Sequence, residues 1–151
     1  MTVHDRLAEL GIELPSVAAA AGSYLPTVRT GNLLFTAGQL PFVDGRLPAT
    51  GRVGAEVSPE DAKLYARQAG LNLLAAVEAA VGLDAVERVV KVVGFVASAD
   101  GFTGQPGVVN GVSDLLAEVF GEAGRHARSA VGVAELPLGA PVEVEAVLQV
   151  S

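Results

Sequence analysis

HARSAVGVAELPLGAPVEVEAVLQV, residues 126–150, is the stretch whose reading decides the fold. It reads as two strands joined by a loop. Residues 129–133 and 142–150 are rich in Val and small side chains, and Pro137, Gly139 and Pro141 punctuate the gap. Side chains alternate faces along a strand. Arg128 therefore shares a face with Ala130 and Gly132, while Ala127, Ser129, Val131 and Val133 take the other. A long cation beside two minimal side chains predicts a hollow edged by a guanidinium. On the second strand Val142, Val144, Ala146, Leu148 and Val150 point one way, and Glu143 and Glu145 the other. A cation and two carboxylates on neighbouring strands fit a plain ion pair. They also fit a site that holds an anion and handles protons.

The upstream chain supplies the rest of the fold. Residues 2–10 read as a short helix capped by Thr2, with Val3, Leu7 and Leu10 on one face and Gly11 as its end. Residues 12–22 form an irregular lead-in with a small-residue run, Ala18 to Ala21. Residues 24–29 and 33–37 flank Thr-Gly-Asn and predict a hairpin, which Gly38, Gln39 and Pro41 terminate. Residues 42–56 are loop-like. Ser58-Pro59-Glu60-Asp61 is a helix start: Ser58 caps, Pro59 sits where a missing N–H costs nothing, and Asp61 can complete a capping box. Apolar positions at helical spacing run to Gly82, giving a helix over 59–81 about 35 Å long. Residues 86–98 are β-branched and strand-like, and 108–120 read as a second long helix. The order is β-β-α-β-α-β-β after a small helix. It predicts an α+β sheet covered on one face by helices. An apolar opposite face would then be buried by oligomerisation.

The totals narrow the function. At 151 residues the expectation is a single domain over 1–151, with 1–17 as an N-terminal extension. The absence of cysteine removes disulfides, thiolate nucleophiles and Cys-based zinc sites. A net charge of −7 argues against general nucleic-acid binding. The start MTVHDRLAEL is not a secretory signal, and no apolar run is long enough to span a membrane. The chain reads as soluble and cytoplasmic. Its 50% hydrophobic and 18% charged residues leave more apolar surface than a small monomer covers, which points to a subunit interface.

Each candidate residue carries a plain reading beside a functional one. Arg128 offers a rigid fork suited to a carboxylate, or is a structural partner for Glu143 or Glu145. The two glutamates are general acid–base groups if burial moves them toward neutrality, or a solvated strand face. His126 lies on the Arg128 face, but His4 and His126 alone make no metal-ligand pattern. A triad of Ser129, His126 and an Asp fails because Ser129 takes the opposite face and no nucleophile elbow is present. The glycines of residues 101–107 lack the Gly-Lys-Ser/Thr ending of a phosphate loop and read as a flexible turn. Tyr24 reads as a core residue with a surface hydroxyl, and Asn110 as a first-turn helix residue bonding free backbone N–H groups.

AAAGSYLPTVRTGNLLFTAGQLP, then GFVASADGF with the Asn110 region, then ARSAVGVAELPLGAPVEVEAV form a pattern of three segments. Together they resemble the Rid family, the reactive intermediate deaminases also known as YjgF or L-PSP endoribonuclease-like proteins. The resemblance covers about residues 18–150, and the 15-residue step from Arg128 to Glu143 matches the family spacing. It implies a chorismate mutase-like fold and a homotrimer with clefts built from two chains. It implies hydrolysis of imines and enamines to 2-keto acids and ammonia, with no cofactor and no metal. By position Arg128 corresponds to the arginine that grips the substrate carboxylate, and Glu143 to the glutamate near the attacking water. Tyr24 and Asn110 correspond to pocket residues, with Ala37, Gly38 and Ala130 lining the same place. Two positions depart from the family's studied deaminases: Ala37 stands where they often carry Ser, and Ala130 where they carry Cys. The chain resembles a longer, less characterised branch.

The expected partner is a small carboxylate-bearing imine, enamine or keto acid, with neither nucleic acid nor membrane. Two other functions stand beside the deaminase. One is a non-catalytic trimer that binds small carboxylates for regulation. The other is a ribonuclease, as the older family name suggests, which the acidic charge disfavours.

Overall fold

A computed structural model describes residues 1–17 and 22–151, so the Ala18 to Ala21 run lies outside the described residues. The elements follow the order read from sequence. They are α1 (Val3–Glu9), β1 (Thr27–Thr30), β2 (Leu33–Thr36), α2 (Pro59–Val81), β3 (Val86–Ala97), α3 (Gln105–Phe120), β4 (Ala127–Val133) and β5 (Val142–Val150). Short 3-10 turns follow α2 and α3 and interrupt the β4–β5 loop. No helix is long and apolar enough to cross a membrane among the described residues.

Local chemistry sets the helix limits. The Thr2 hydroxyl accepts from Asp5 N–H while the Asp5 carboxylate accepts from Thr2 N–H, a complete capping box for α1. The Ser58 hydroxyl accepts from Asp61 N–H to start α2, and Gly82 at φ 79° ends it. Helix α3 begins three residues earlier than the apolar spacing predicts, because Pro106 occupies the first turn, where its missing N–H has no cost. Asn110 consequently sits beyond the first turn, not within it as expected.

The five strands are ordered β1-β2-β5-β3-β4. All pairs are antiparallel except β3 with β4, which the α3 crossover joins in parallel. The expectation that β4 and β5 are neighbours is therefore corrected. The loop between them carries the chain past β3, and β3 pairs with both.

One face of the sheet packs on α2 and α3. Leu34, Val92, Val96, Val144, Ala146 and Leu148 meet Ala62, Ala66, Leu73, Val77, Val112, Leu115 and Leu116, all buried. Two glycines let the helices settle. A Cβ on Gly94 of β3 would lie 2.5 Å from Val109, and one on Gly111 of α3 would lie 2.0 Å from the Lys63 carbonyl of α2. The opposite sheet face has no helix over it among the described residues. Register places Val28, Phe35, Val147, Val93, Phe95 and Val131 there together with Glu143 and Glu145. Val28, Phe35 and Val131 are each more than two-fifths exposed, so this face carries apolar surface in the single chain.

Candidate active site

Arg128 and Glu143 belong to opposite faces of the sheet. Arg128 pairs in register with Val92, a buried residue of the helix-covered face. Glu143 pairs with Phe95 and Glu145 with Val93, on the open face. A structural Arg128–glutamate ion pair within one chain is thereby excluded. No carboxylate pairs with Arg128 among the described residues.

The Arg128 half of the site is built by α3 and β4. One terminal guanidinium nitrogen donates to Asn110 Oδ1 at 2.7 Å and to Ser113 Oγ at 3.1 Å. Asn110 and Ser113 are three residues apart, so one helix face presents both acceptors. Ser113 Oγ also lies 2.9 Å from His126 Nε2, and His126 Nδ1 lies 2.7 Å from the Gly124 carbonyl. The predicted hollow lies elsewhere than expected. The Gln105 side chain takes the space beside Gly132, where a Cβ would lie 2.8 Å from its amide nitrogen, and Ala130 packs against the core. The open space is on the other side of Arg128. It is a cavity of about 280 Å³ lined by Ser113, Asp114, Ala117, Arg125, His126 and Arg128.

The Glu143 half is built by an irregularity in β2. The ladder with β5 runs to Phe35 opposite Val147 and resumes at Gln39 opposite Val144. Three residues of one strand, 36–38, thus face two of the other, which is one residue too many for a regular ladder. The Thr36 hydroxyl fills the break by accepting from Ala146 N–H at 3.0 Å. Gln39 and Val144 then exchange two backbone bonds of 2.8 and 3.0 Å. Asn72 of α2 locks the following turn by donating to the carbonyls of Leu40 and Phe42. The bulge brings the Gly38 backbone under the Glu143 carboxylate, so close that a Cβ there would meet Oε1 at 2.6 Å. Ala37 is half-buried beside it, its N–H donating to the Pro26 carbonyl. Burial raises the Glu143 carboxyl above its ordinary value, and repulsion from Glu145 adds to the effect. Tyr24 is half-exposed, with its ring against Gly22, rather than a core residue.

Of the residues singled out by sequence, the fold unites Arg128 with Asn110 and Glu143 with Gly38 and Ala37. It does not unite the two sets within one chain. Ser113 escaped the sequence reading, although its position one turn after Asn110 was a usable signal. A larger cleft of about 640 Å³, lined mainly by apolar residues of α1 and the segment after it, contains none of these side chains.

Comparison with known proteins gives this arrangement a context. Residues 4–146 match the family model described as "YjgF/chorismate_mutase-like, putative endoribonuclease". The chain is 47% identical to Protein TCP17 of Trypanosoma cruzi over 151 residues, covering 99% of this chain and 94% of the relative. It is 37% identical to the 2-iminobutanoate/2-iminopropanoate deaminase of Escherichia coli K12 over 138 residues, covering 90% and 94%. Among solved structures, the protein Atu1372 of Agrobacterium tumefaciens, of unknown function, superposes with a TM-score of 0.91 at 44% identity, covering 99% of this chain and 92% of that one. The mixed five-stranded sheet with its helices on one face is the fold of these proteins, and the chain belongs to the YjgF/chorismate mutase-like family, the Rid family.

Proposed function

We propose that this chain hydrolyses 2-imino acids and their enamine tautomers to 2-keto acids and ammonia, in clefts between the subunits of a homotrimer. One observation carries the reading. A guanidinium with no carboxylate partner among the described residues and a carboxylate raised by burial stand on opposite faces of one sheet. Two copies that pack the open face of one against the β4 edge of the next bring the halves together. The 37% identity to a named deaminase supports the chemistry. The apolar open face supports the association.

The residues divide the reaction between them. Arg128 holds the substrate carboxylate through its Nε–H and second amino group, since its first is occupied by Asn110 and Ser113. Glu143 orients a water and accepts its proton as the oxygen attacks the iminium carbon. The tetrahedral carbinolamine then breaks its C–N bond, with the proton passing to nitrogen. Overall, one iminium carboxylate and one water give one keto acid and one ammonium ion. A carboxylate with a raised pKa is the better base for this step. Gly38, Ala37 and Tyr24 shape the pocket around the substrate carbon chain.

A second reading, a trimer that binds small carboxylates without turnover, draws support from Ala37, whose methyl group offers a ligand no hydrogen bond. One experiment separates the two. Imines are generated in place by an amino-acid oxidase while semicarbazide traps what escapes. Native protein is expected to outcompete the trap, and Arg128→Ala to lose at least about a hundredfold in kcat/KM. Native protein that binds 2-keto acids yet leaves the trapped fraction unchanged would establish the second reading.

A further inference from the structure

We propose that Ser113 and His126 are positioning residues that set the orientation of Arg128 for carboxylate binding. The inference rests on the reading of Arg128 as the substrate anchor. It starts from the direction of four hydrogen bonds. The Gly124 carbonyl can only accept, so His126 Nδ1, 2.7 Å away, carries the hydrogen. In the neutral ring Nε2 is then an acceptor. Ser113 Oγ, 2.9 Å from Nε2, donates its only hydrogen there. Its lone pairs are left to accept from Arg128 at 3.1 Å. Asn110 Oδ1 accepts the other hydrogen of the same guanidinium nitrogen at 2.7 Å.

Every bond in this chain runs the same way, from guanidinium to serine to imidazole to backbone. The serine cannot turn its hydrogen toward Arg128 without abandoning His126. It is therefore held as an acceptor. With one nitrogen fully engaged, the guanidinium plane is fixed, and Nε–H and the second amino group form the fork left for a ligand. The relay joins three parts of the fold: Ser113 on α3, His126 in the turn after it, and Arg128 on β4. Neither Ser113 nor His126 needs to touch substrate. A side chain that supplies an acceptor at the Nε2 position should do the work of His126. Glutamine has such an atom, Oε1, and alanine does not.

The test uses the full chain, with 2-oxobutanoate as the binding probe and imine hydrolysis as the kinetic one. Ser113→Ala and His126→Ala are expected to weaken 2-oxobutanoate binding and raise KM roughly tenfold while kcat stays within about twofold. His126→Gln is expected to recover native binding to within about twofold. Side-chain nitrogen NMR is expected to show the His126 ring protonated at Nδ1, and a slowly exchanging Arg128 Nε–H that exchanges faster in Ser113→Ala. Unchanged binding in both alanine variants, or His126→Gln as poor as His126→Ala, would overturn the relay. Should native protein neither bind 2-oxobutanoate nor hydrolyse imines, the anchor reading falls instead. The NMR signals then decide the relay by themselves: an Nε2-protonated ring, or Arg128 exchange unaltered by Ser113→Ala, refutes it.

Discussion

The Glu143 carboxylate rests on the bare backbone of Gly38, where a methyl group would lie 2.6 Å from Oε1. Gly38 has no left-handed backbone to protect, so its lack of a side chain serves the glutamate alone. The clashing atom is the far end of a flexible side chain, and it can swing away cheaply. Gly38→Ala is therefore expected to leave the urea midpoint close to native while costing about a hundredfold in kcat/KM. Loss of stability without loss of activity would show that the contact serves the fold instead.

Because Arg128 and Glu143 occupy opposite faces, two inactive variants should repair each other. Arg128→Ala subunits keep a native Glu143, and Glu143→Gln subunits keep a native Arg128. Unfolded together and refolded at equal amounts, they are expected to regain about a quarter of native activity, the share of clefts that random assembly restores. Each variant refolded alone stays inactive. No recovery in a mixed oligomer whose composition has been verified would place both residues of a working site in one chain.

The raised carboxyl of Glu143 has a consequence for stability. Its folded pKa exceeds the unfolded one, so the folded state binds the proton more tightly. The stabilisation from that proton is complete below the unfolded value and is lost as pH rises through the folded value. Glu143→Gln removes the penalty for the buried charge. The variant is expected to unfold at higher urea than native protein at neutral pH, with the gap narrowing toward about pH 4. A gap that widens on acidification would contradict the sign. Higher stability with lower activity would mark Glu143 as kept for chemistry.

Helix packing supplies a contrast between two glycines. A Cβ on Gly111 would meet the Lys63 carbonyl at 2.0 Å, whereas one on Gly70 would meet the Val112 side chain at 2.9 Å. Backbone cannot turn aside as a side chain can. Gly111→Ala is expected to cost about 3 kcal/mol by forcing α2 and α3 apart. Gly70→Ala should cost less, since the Val112 side chain can give way, while both variants share a helix-propensity gain of up to about 1 kcal/mol. Thermal unfolding of both variants measures the difference.

Much of this fold was legible where punctuation is chemical. The limits of α2 follow from Ser58-Pro59 and Gly82, and β5 follows from its strict alternation. The start of α3 was not legible, because Gly104, Pro106 and Gly107 read as breakers although the proline fits a first turn. For the site, the residue types were legible and their grouping was not. Alternation fixes faces within a strand, but the relation between β4 and β5 depends on β3, which comes earlier in the chain and inserts between them. The bulge at 36–38 needs a partner strand to be seen at all.

That bulge also changes the parity of the chain. Before it the even positions Leu34 and Thr36 are buried, and after it the odd position Gln39 is. Deleting Ala37 would join the two halves into one unbroken alternation, with Gln39 still opposite Val144 and still inside, and with Gly38 brought opposite Glu145. The single surplus residue thus leaves the inside and outside of the pleat as they are on either side and sets only what lies between Thr36 and Gln39. A loss that mends the ladder would thus carry Gly38 from under one glutamate toward the next.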